Sequence, residues 1–184
     1  MAVPTAFGRN LPKQDWEGDD FTPGAGGKYV TCMDTAAGRM VAWATNGRIN
    51  KDGRVYRAAV HPHDPNGITM EQADQAVHTV AGLDIVRPAG WNQATVIAHL
   101  RAGKGLIIIG LYSSLPRAYR FQASAAFAHG MFVTHISGSN MRLYDPLDPN
   151  TNVYGRVVPA SLLWPYLISL PTHYQVGYVP LQHL

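Results

Sequence analysis

The sequence predicts an α+β fold in which N-terminal helices pack on a small antiparallel β-sheet. Segments with apolar residues at helical spacing recur between residues 34 and 102, and β-rich segments separated by turn residues recur between residues 106 and 179. The chain has 184 residues, 46% of them hydrophobic and 15% charged, which is enough to bury one sizeable core. We therefore expect a single domain over residues 29–184, preceded by an extended arm over residues 1–28.

The predicted arm is rich in proline and glycine and shows almost no periodicity. Either the surface of the domain itself or a neighbouring chain holds it, and we favour a neighbouring chain, which would make the arm an assembly contact. The opening residues lack the basic segment and apolar stretch of a secretion signal, and the longest apolar run, 106–109, is too short to span a bilayer. We expect neither an export signal nor membrane insertion.

Three helices are predicted before the first strand of the predicted sheet. The second of them begins with a capping box, because Thr69 stands three residues before Gln72, and it ends at Gly82. Between the first two helices, a turn signal precedes a segment that we interpret as a short strand, 55–60. The predicted helices cover residues 34–45, 70–81 and 92–102.

The second half of the chain is interpreted mainly as sheet. The apolar run 106–112 predicts a central strand. Segments 130–136 and 141–144 flank the turn sequence Ser-Gly-Ser-Asn, which predicts an antiparallel hairpin. A loop then leads to a short helix and a last strand, over residues 159–167 and 174–179.

The chain has one cysteine, Cys32, so it forms neither an internal disulfide nor a multi-cysteine zinc site. Such a thiol is either buried and inert or reactive. A thiol becomes a good nucleophile as the thiolate, which is favoured by the free amides of a helix N-terminus and by an adjacent imidazolium. Because Cys32 stands just before the predicted Ala-rich helix, it is the candidate nucleophile.

The candidate base and the candidate residue that orients it are His129 and Asp145. His129 stands at the start of one arm of the predicted hairpin, and Asp145 follows the end of the other arm. These two ends are neighbours in an antiparallel hairpin, so the carboxylate can fix the imidazole tautomer. His135, further along the same strand, is an alternative base, and Asp145 before Pro146 is alternatively a turn residue.

Several motifs, taken in order, resemble those of the papain-like cysteine peptidase superfamily. They are a cysteine at a helix start, Thr-Met-Glu-Gln at residues 69–72, Leu-Arg-Ala-Gly-Lys-Gly at 100–105, His-Gly-Met-Phe-Val-Thr at 129–134 and Leu-Tyr-Asp-Pro at 143–146. The similarity covers about residues 29–180 and rests on order and spacing. It is closest to small microbial members, the bacteriocin-leader-processing peptidases and the cell-wall endopeptidases.

The resemblance implies a papain-like fold and a peptidase or amidase that cleaves a peptide or isopeptide bond through a thioester. It implies Cys32, His129 and Asp145 as the catalytic triad, with no cofactor and no metal. The implied substrates are peptides, including peptidoglycan stem peptides and leader peptides. Without an export signal, the chain would suit a bacteriophage particle that carries a cell-wall hydrolase. The alternative is a catalytically inactive papain-like subunit of a phage tail or capsid.

Two positions depart from the pattern that the resemblance implies. Such enzymes often place a glutamine a few residues before the cysteine as an oxyanion donor, whereas Gln14 is distant from Cys32 and leaves that donor unassigned. The residue after the cysteine is usually small, whereas Met33 is large and would crowd the cleft. Either departure fits a specialised substrate or a domain that no longer cleaves anything.

The remaining polar features are interpreted as ordinary loops or surface. His61, His63 and Asp64 resemble metal ligands, but no third histidine at helical spacing supports a site, so we interpret them as a polar loop. The formal net charge of +3 and the absence of a Lys or Arg run predict no specific nucleic-acid partner. The Tyr-Ser-Ser sequence at residues 112–114 either lines a substrate cleft or forms a turn.

Overall fold

The computed structural model describes residues 32–60, 68–121, 127–148, 155–170 and 175–182. The predicted arm and Gln14 lie outside the described residues, as does the loop of His61, His63 and Asp64. The helices are α1 (Cys32–Ala44), α2 (Gly53–Val60), α3 (Met70–Ala81), α4 (Gln93–Arg101) and α5 (Leu163–Leu167). The strands are β1 (Leu106–Leu111), β2 (Ala128–Ser137), β3 (Asn140–Tyr144), β4 (Arg156–Pro159) and β5 (Gln175–Gly177). This mixture confirms the predicted α+β class.

The strands form one antiparallel sheet in the order β4-β3-β2-β1-β5. The predicted hairpin is β2 and β3, paired so that Phe132 lies opposite Tyr144 and Ser137 opposite Asn140. Gly138 occupies the turn with a φ of 60°, a conformation that glycine adopts without steric cost. The predicted central strand is β1, which pairs on both of its edges and is therefore interior to the sheet.

Helices cover both faces of the sheet, because β1 is apolar on both faces. Ile107 and Ile109 join the core formed with α1, α2 and α3. Leu106 and Ile108, which point to the opposite face, join the core formed with α4 and α5. The N-terminal helices therefore pack on the sheet as predicted, and a second helical layer lies behind it.

The capping boxes that begin α3 and α4 anchor these helices. The Thr69 hydroxyl accepts the Gln72 N–H at 3.2 Å, and the Gln72 side chain accepts the Thr69 N–H at 2.7 Å. Asn92 and Thr95 make the same reciprocal pair at the start of α4. The capping box predicted at Thr69 is therefore confirmed, and α4 begins with a second capping box that was not predicted.

The predicted strand over residues 55–60 is wrong, because this segment belongs to α2. The Asp52 side chain accepts the N–H of Arg54 at 2.8 Å, so what looked like a turn signal is the start of a helix. Tyr56 and Arg57 are both buried, and Arg57 binds Asp34 of α1. Packing against α1 therefore overrides the β propensity of the segment.

The end of the domain departs from the prediction in detail. The predicted helix over 159–167 is a 3-10 turn, Ala160–Leu162, followed by α5. The edge strand β4 was not predicted, since four residues carry little periodic signal. None of the described helices is both long and apolar enough to cross a membrane.

Candidate active site

The structure brings the three candidate residues together at one end of strands β2 and β3. Cys32 is the first residue of α1, His129 is the second residue of β2, and Asp145 directly follows β3. The pairing of β2 with β3 brings the histidine and the aspartate to the same end of the hairpin. Packing of α1 on β2 then brings in the cysteine.

The imidazole of His129 is bound to the carboxylate of Asp145. His129 Nε2 lies 2.7 Å from Asp145 Oδ1, and both side chains are only 1% exposed. A carboxylate only accepts hydrogen bonds, so Nε2 carries the hydrogen of this bond. Nδ1 is buried and has no hydrogen-bond partner within the described part of the chain. It is therefore the nitrogen left to exchange a proton with another group.

The sulfur of Cys32 lies beside the backbone of His129. The N–H of Gly130, which belongs to the peptide bond between His129 and Gly130, donates to Cys32 Sγ at 3.4 Å. This close approach requires a glycine, because a Cβ at position 130 would collide with the side chain of Met33 in the next position of α1. Met33 is itself buried against Gly130. The chain after the cysteine thus packs into the core.

The environment of His129 favours its protonated form. Burial by itself lowers the pKa of His129, but the hydrogen bond and charge of Asp145, followed by the influence of Cys32, outweigh it and raise the pKa to about 9. An imidazolium held in this way can stabilise a thiolate.

Asp145 is held by donors on both of its oxygens. Besides the imidazole, Oδ1 accepts the N–H of Leu147 at 2.9 Å. Oδ2 accepts the hydroxyl of Tyr112 at 2.7 Å. The carbonyl of Asp145 also accepts the N–H of Asp148 at 3.0 Å, so the residue forms a turn as well as binding His129. Asp145 therefore combines a turn with a contact to His129.

Aromatic rings enclose the imidazole of His129. The ring of Tyr112 lies 4.7 Å from it at an angle of 67°, and that of Phe127 lies 5.9 Å away at 71°. The hydroxyl of Tyr166, on α5, donates to the carbonyl of His129 at 2.5 Å. These contacts fix both the ring and the backbone of the histidine and keep water away from its bond to Asp145.

The alternative base, His135, does not join the site. It lies six residues beyond His129 on β2, which corresponds to about 20 Å along a strand. Its pKa is lowered by its partial burial and by the neighbouring Arg142. No group of three or more potential metal ligands occurs among the described residues.

Sequence reasoning did not identify Tyr112 as a partner of Asp145. The signal was present, because Tyr112 directly follows β1, whose residue Gly110 pairs with His129. Because Tyr112 is two residues beyond Gly110, it lies at the same end of the strands as His129. The partner became evident only once the register of β1 against β2 was known.

A second buried carboxylate lies close to the cysteine in sequence. Asp34, on the first turn of α1, binds Arg57 of α2 through Oδ2 at 3.2 Å, and neither side chain is more than 6% exposed. Its other oxygen, Oδ1, has no hydrogen-bond partner within the described ranges. Burial raises the pKa of Asp34 to about 7, although Arg57 opposes that effect.

The fold is papain-like, with a cysteine-bearing helix set against an antiparallel sheet that carries the histidine. No protein-family model and no curated protein matches the sequence. Among solved structures, the chain is similar to a Bacillus anthracis protein assigned as a C39-like peptidase. The two share 12% identity with a TM-score of 0.57, and the match covers 82% of this chain and 88% of that one. At this identity the similarity shows the fold.

Proposed function

We propose that this protein is a cysteine peptidase in which Cys32 is the nucleophile, His129 the base and Asp145 the residue that orients the base. One observation carries the proposal. Cys32 Sγ receives the N–H that directly follows His129, while the imidazole is bound through Nε2 to a buried carboxylate. A sulfur beside the backbone of His129 and an imidazole oriented by a carboxylate support the order nucleophile, base and orienting group of acyl transfer.

The reaction would proceed through a thioester. His129 Nδ1 takes the proton of Cys32, and the thiolate attacks the carbonyl carbon of the scissile amide. The tetrahedral intermediate collapses as the C–N bond breaks, and the leaving amine takes the proton from His129. Water then attacks the thioester, with His129 removing its proton, and the carboxylic acid product and the free thiol result.

The peptide-bond chemistry is tested by labelling the intact protein with a peptide electrophile directed at thiols. We expect Cys32 to be labelled, and we expect His129→Gln to slow labelling at least about hundredfold because the base is lost. The matched control is His135→Gln, the same substitution on the same strand outside the site. Equal rates for the two histidine variants would contradict the proposed base.

Peptidoglycan stem peptides are the proposed substrates within the peptide class. This narrower proposal rests on the resemblance to cell-wall endopeptidases, and it fits a phage particle that carries the enzyme to its target. Purified peptidoglycan is incubated with the protein and with Cys32→Ala, and new amino groups are measured. Release by the unmodified protein alone is expected, and equal release by both would contradict cleavage through Cys32.

An inactive scaffold is the second candidate function, and one observation favours it. Cys32 is only 6% exposed and His129 only 1%, so little of either residue is open to a substrate. In this case the domain would serve as a papain-like docking subunit of a phage particle. Failure of every thiol-directed probe to react with folded protein, followed by reaction after unfolding, would favour the scaffold over the enzyme.

A further inference from the structure

We propose that Tyr112 is a positioning residue, which fixes the carboxylate of Asp145 so that it holds His129 in its working orientation. The inference rests on the proposed function and adds to it a residue that directly follows a third strand. Tyr112 directly follows β1, whereas His129 and Asp145 belong to the hairpin of β2 and β3. The orienting group is therefore tied to the neighbouring strand.

The hydroxyl of Tyr112 has a defined direction. It donates to Asp145 Oδ2 at 2.7 Å and accepts the backbone N–H of Phe121 at 2.9 Å. Because the N–H of Phe121 faces the oxygen, the hydroxyl hydrogen is directed to the carboxylate. Bonds to a charged acceptor are stronger than those between neutral groups. The phenol is thus held in the state in which it donates to Asp145.

Packing alone does not account for this arrangement. Tyr112 is fully buried, and a phenylalanine would fill the same space. Tyr56 is equally buried, yet its hydroxyl has no hydrogen-bond partner in the described segments. Tyr56 therefore only fills the core, whereas the hydroxyl of Tyr112 also completes the hydrogen bonding of a carboxylate.

Loss of the Tyr112 hydroxyl would weaken the hold of Asp145 on His129 in two ways. Oδ2 would remain buried without its donor, which favours protonation of the carboxyl group and removes its charge. The carboxylate would also rotate more freely, since Leu147 holds only Oδ1. Both effects lower the pKa of His129, because Asp145 is the main group that raises it.

The groups that act on His129 come from every element around it. Cys32 approaches from α1, Asp145 from the end of β3, Tyr112 from the end of β1 and Tyr166 from α5. The variants Tyr112→Phe and Tyr56→Phe alter one hydroxyl each and leave the charged members of this set in place. They form a matched pair of tests.

The experiment measures the rate of Cys32 alkylation by iodoacetamide against pH in the full-length protein. For Tyr112→Phe we expect an approximately tenfold slower reaction at neutral pH. We also expect the alkaline part of the plot of rate against pH to shift to lower pH by about one unit. Tyr56→Phe should retain the profile of the unmodified protein. In the Asp145→Asn background, Tyr112→Phe should add no further loss, since a positioning residue acts through Asp145.

Two results would overturn the inference. One is an unchanged pH profile in folded Tyr112→Phe, and the other is an additive loss in the Asp145→Asn background. If Tyr112→Phe does not fold, proton NMR of the unmodified protein decides: a slowly exchanging Tyr112 hydroxyl proton is expected, and its absence would contradict the bond. An unmodified protein whose Cys32 never reacts would instead defeat the proposed function.

Discussion

Two buried aspartates of this domain differ in how their charges are accommodated. Asp145 receives donors on both oxygens, from His129, Leu147 and Tyr112. Asp34 is as deeply buried, but Arg57 contacts one of its oxygens and the other has no partner in the described part of the chain. The same residue type therefore occupies one fully hydrogen-bonded site and one incompletely bonded site.

The difference separates a candidate functional group from a structural one. A fully bonded carboxylate has one orientation and can fix a neighbouring imidazole. A carboxylate with one free oxygen is costly to bury as an anion, which is why the pKa of Asp34 rises to about 7. Substitutions at the two positions should therefore affect different measured quantities.

The largest expected effect is on the reaction rate. Asp145→Asn should slow Cys32 alkylation at least about hundredfold, because the amide cannot hold the imidazolium as the carboxylate does. Asp34→Asn should change the rate less than about threefold, since Asp34 binds Arg57 and not His129. Rates are compared at one pH, and similar losses in both variants would break the distinction between the two aspartates.

Removal of the Asp34 partner should reduce stability. Arg57→Leu leaves a buried carboxylate without its cation, so we expect the free energy of unfolding at pH 8 to fall by about 3 kcal/mol. The loss should be smaller at pH 5, where Asp34 is protonated. Urea unfolding measures both values, and the double variant with Asp34→Asn should recover part of the loss. A loss independent of pH would show that the charge of Asp34 is not its cause.

The two sites should give stability different pH windows. Asp34 binds protons more tightly when folded, so stability falls as pH rises from about 4 to about 7. His129 also has a raised pKa, so its contribution is complete below about 6.5 and is lost through about 9. At about 1.4 kcal/mol per pKa unit, the Asp34 window corresponds to roughly 4 kcal/mol and the His129 window to roughly 3 kcal/mol. Asp34→Asn should remove the dependence of unfolding free energy on pH in the first window, and His129→Gln should remove it in the second. A dependence on pH that both variants retain would contradict this assignment.

The smallest expected effect comes from the packing of α1 on β2. Gly130→Ala places a methyl group against Met33, so we expect a loss of roughly 1–2 kcal/mol in unfolding free energy. The displaced backbone should also slow Cys32 alkylation, because its N–H contacts the sulfur. Adding Met33→Ala should relieve the clash. The double variant should lose less unfolding free energy than the two single variants together. A loss equal to or larger than that sum would show that the packing account is wrong.

Local rules explain which parts of this fold were predictable from sequence. The capping residues of α3 and the hairpin turn act over a few positions, so α3, β2, β3 and the pairing of His129 with Asp145 followed from the sequence. The start of α2 did not, because Asp52 is both a common turn residue and a helix cap. Long-range partners such as Tyr112 for Asp145 depend on sheet register, which no local pattern specifies.

The site likewise divides into a predictable and an unpredictable part. The order Cys, His, Asp and their positions on elements could be predicted. The contact between Cys32 and Gly130 depends on how closely α1 packs on β2, and that distance depends on side chains far apart in sequence. The sequence predicted that Cys32 and His129 lie close together, whereas the contact of the sulfur with the Gly130 N–H became evident from the structure.

The ring titration of His129, followed by NMR in protein with labelled histidine, tests most directly whether sulfur and imidazole share a proton. A midpoint near 9 is predicted for the unmodified protein, with a clear decrease in Cys32→Ser, because Cys32 contributes to the raised pKa. A midpoint near the ordinary value of about 6.5 that does not respond to Cys32→Ser would contradict the account.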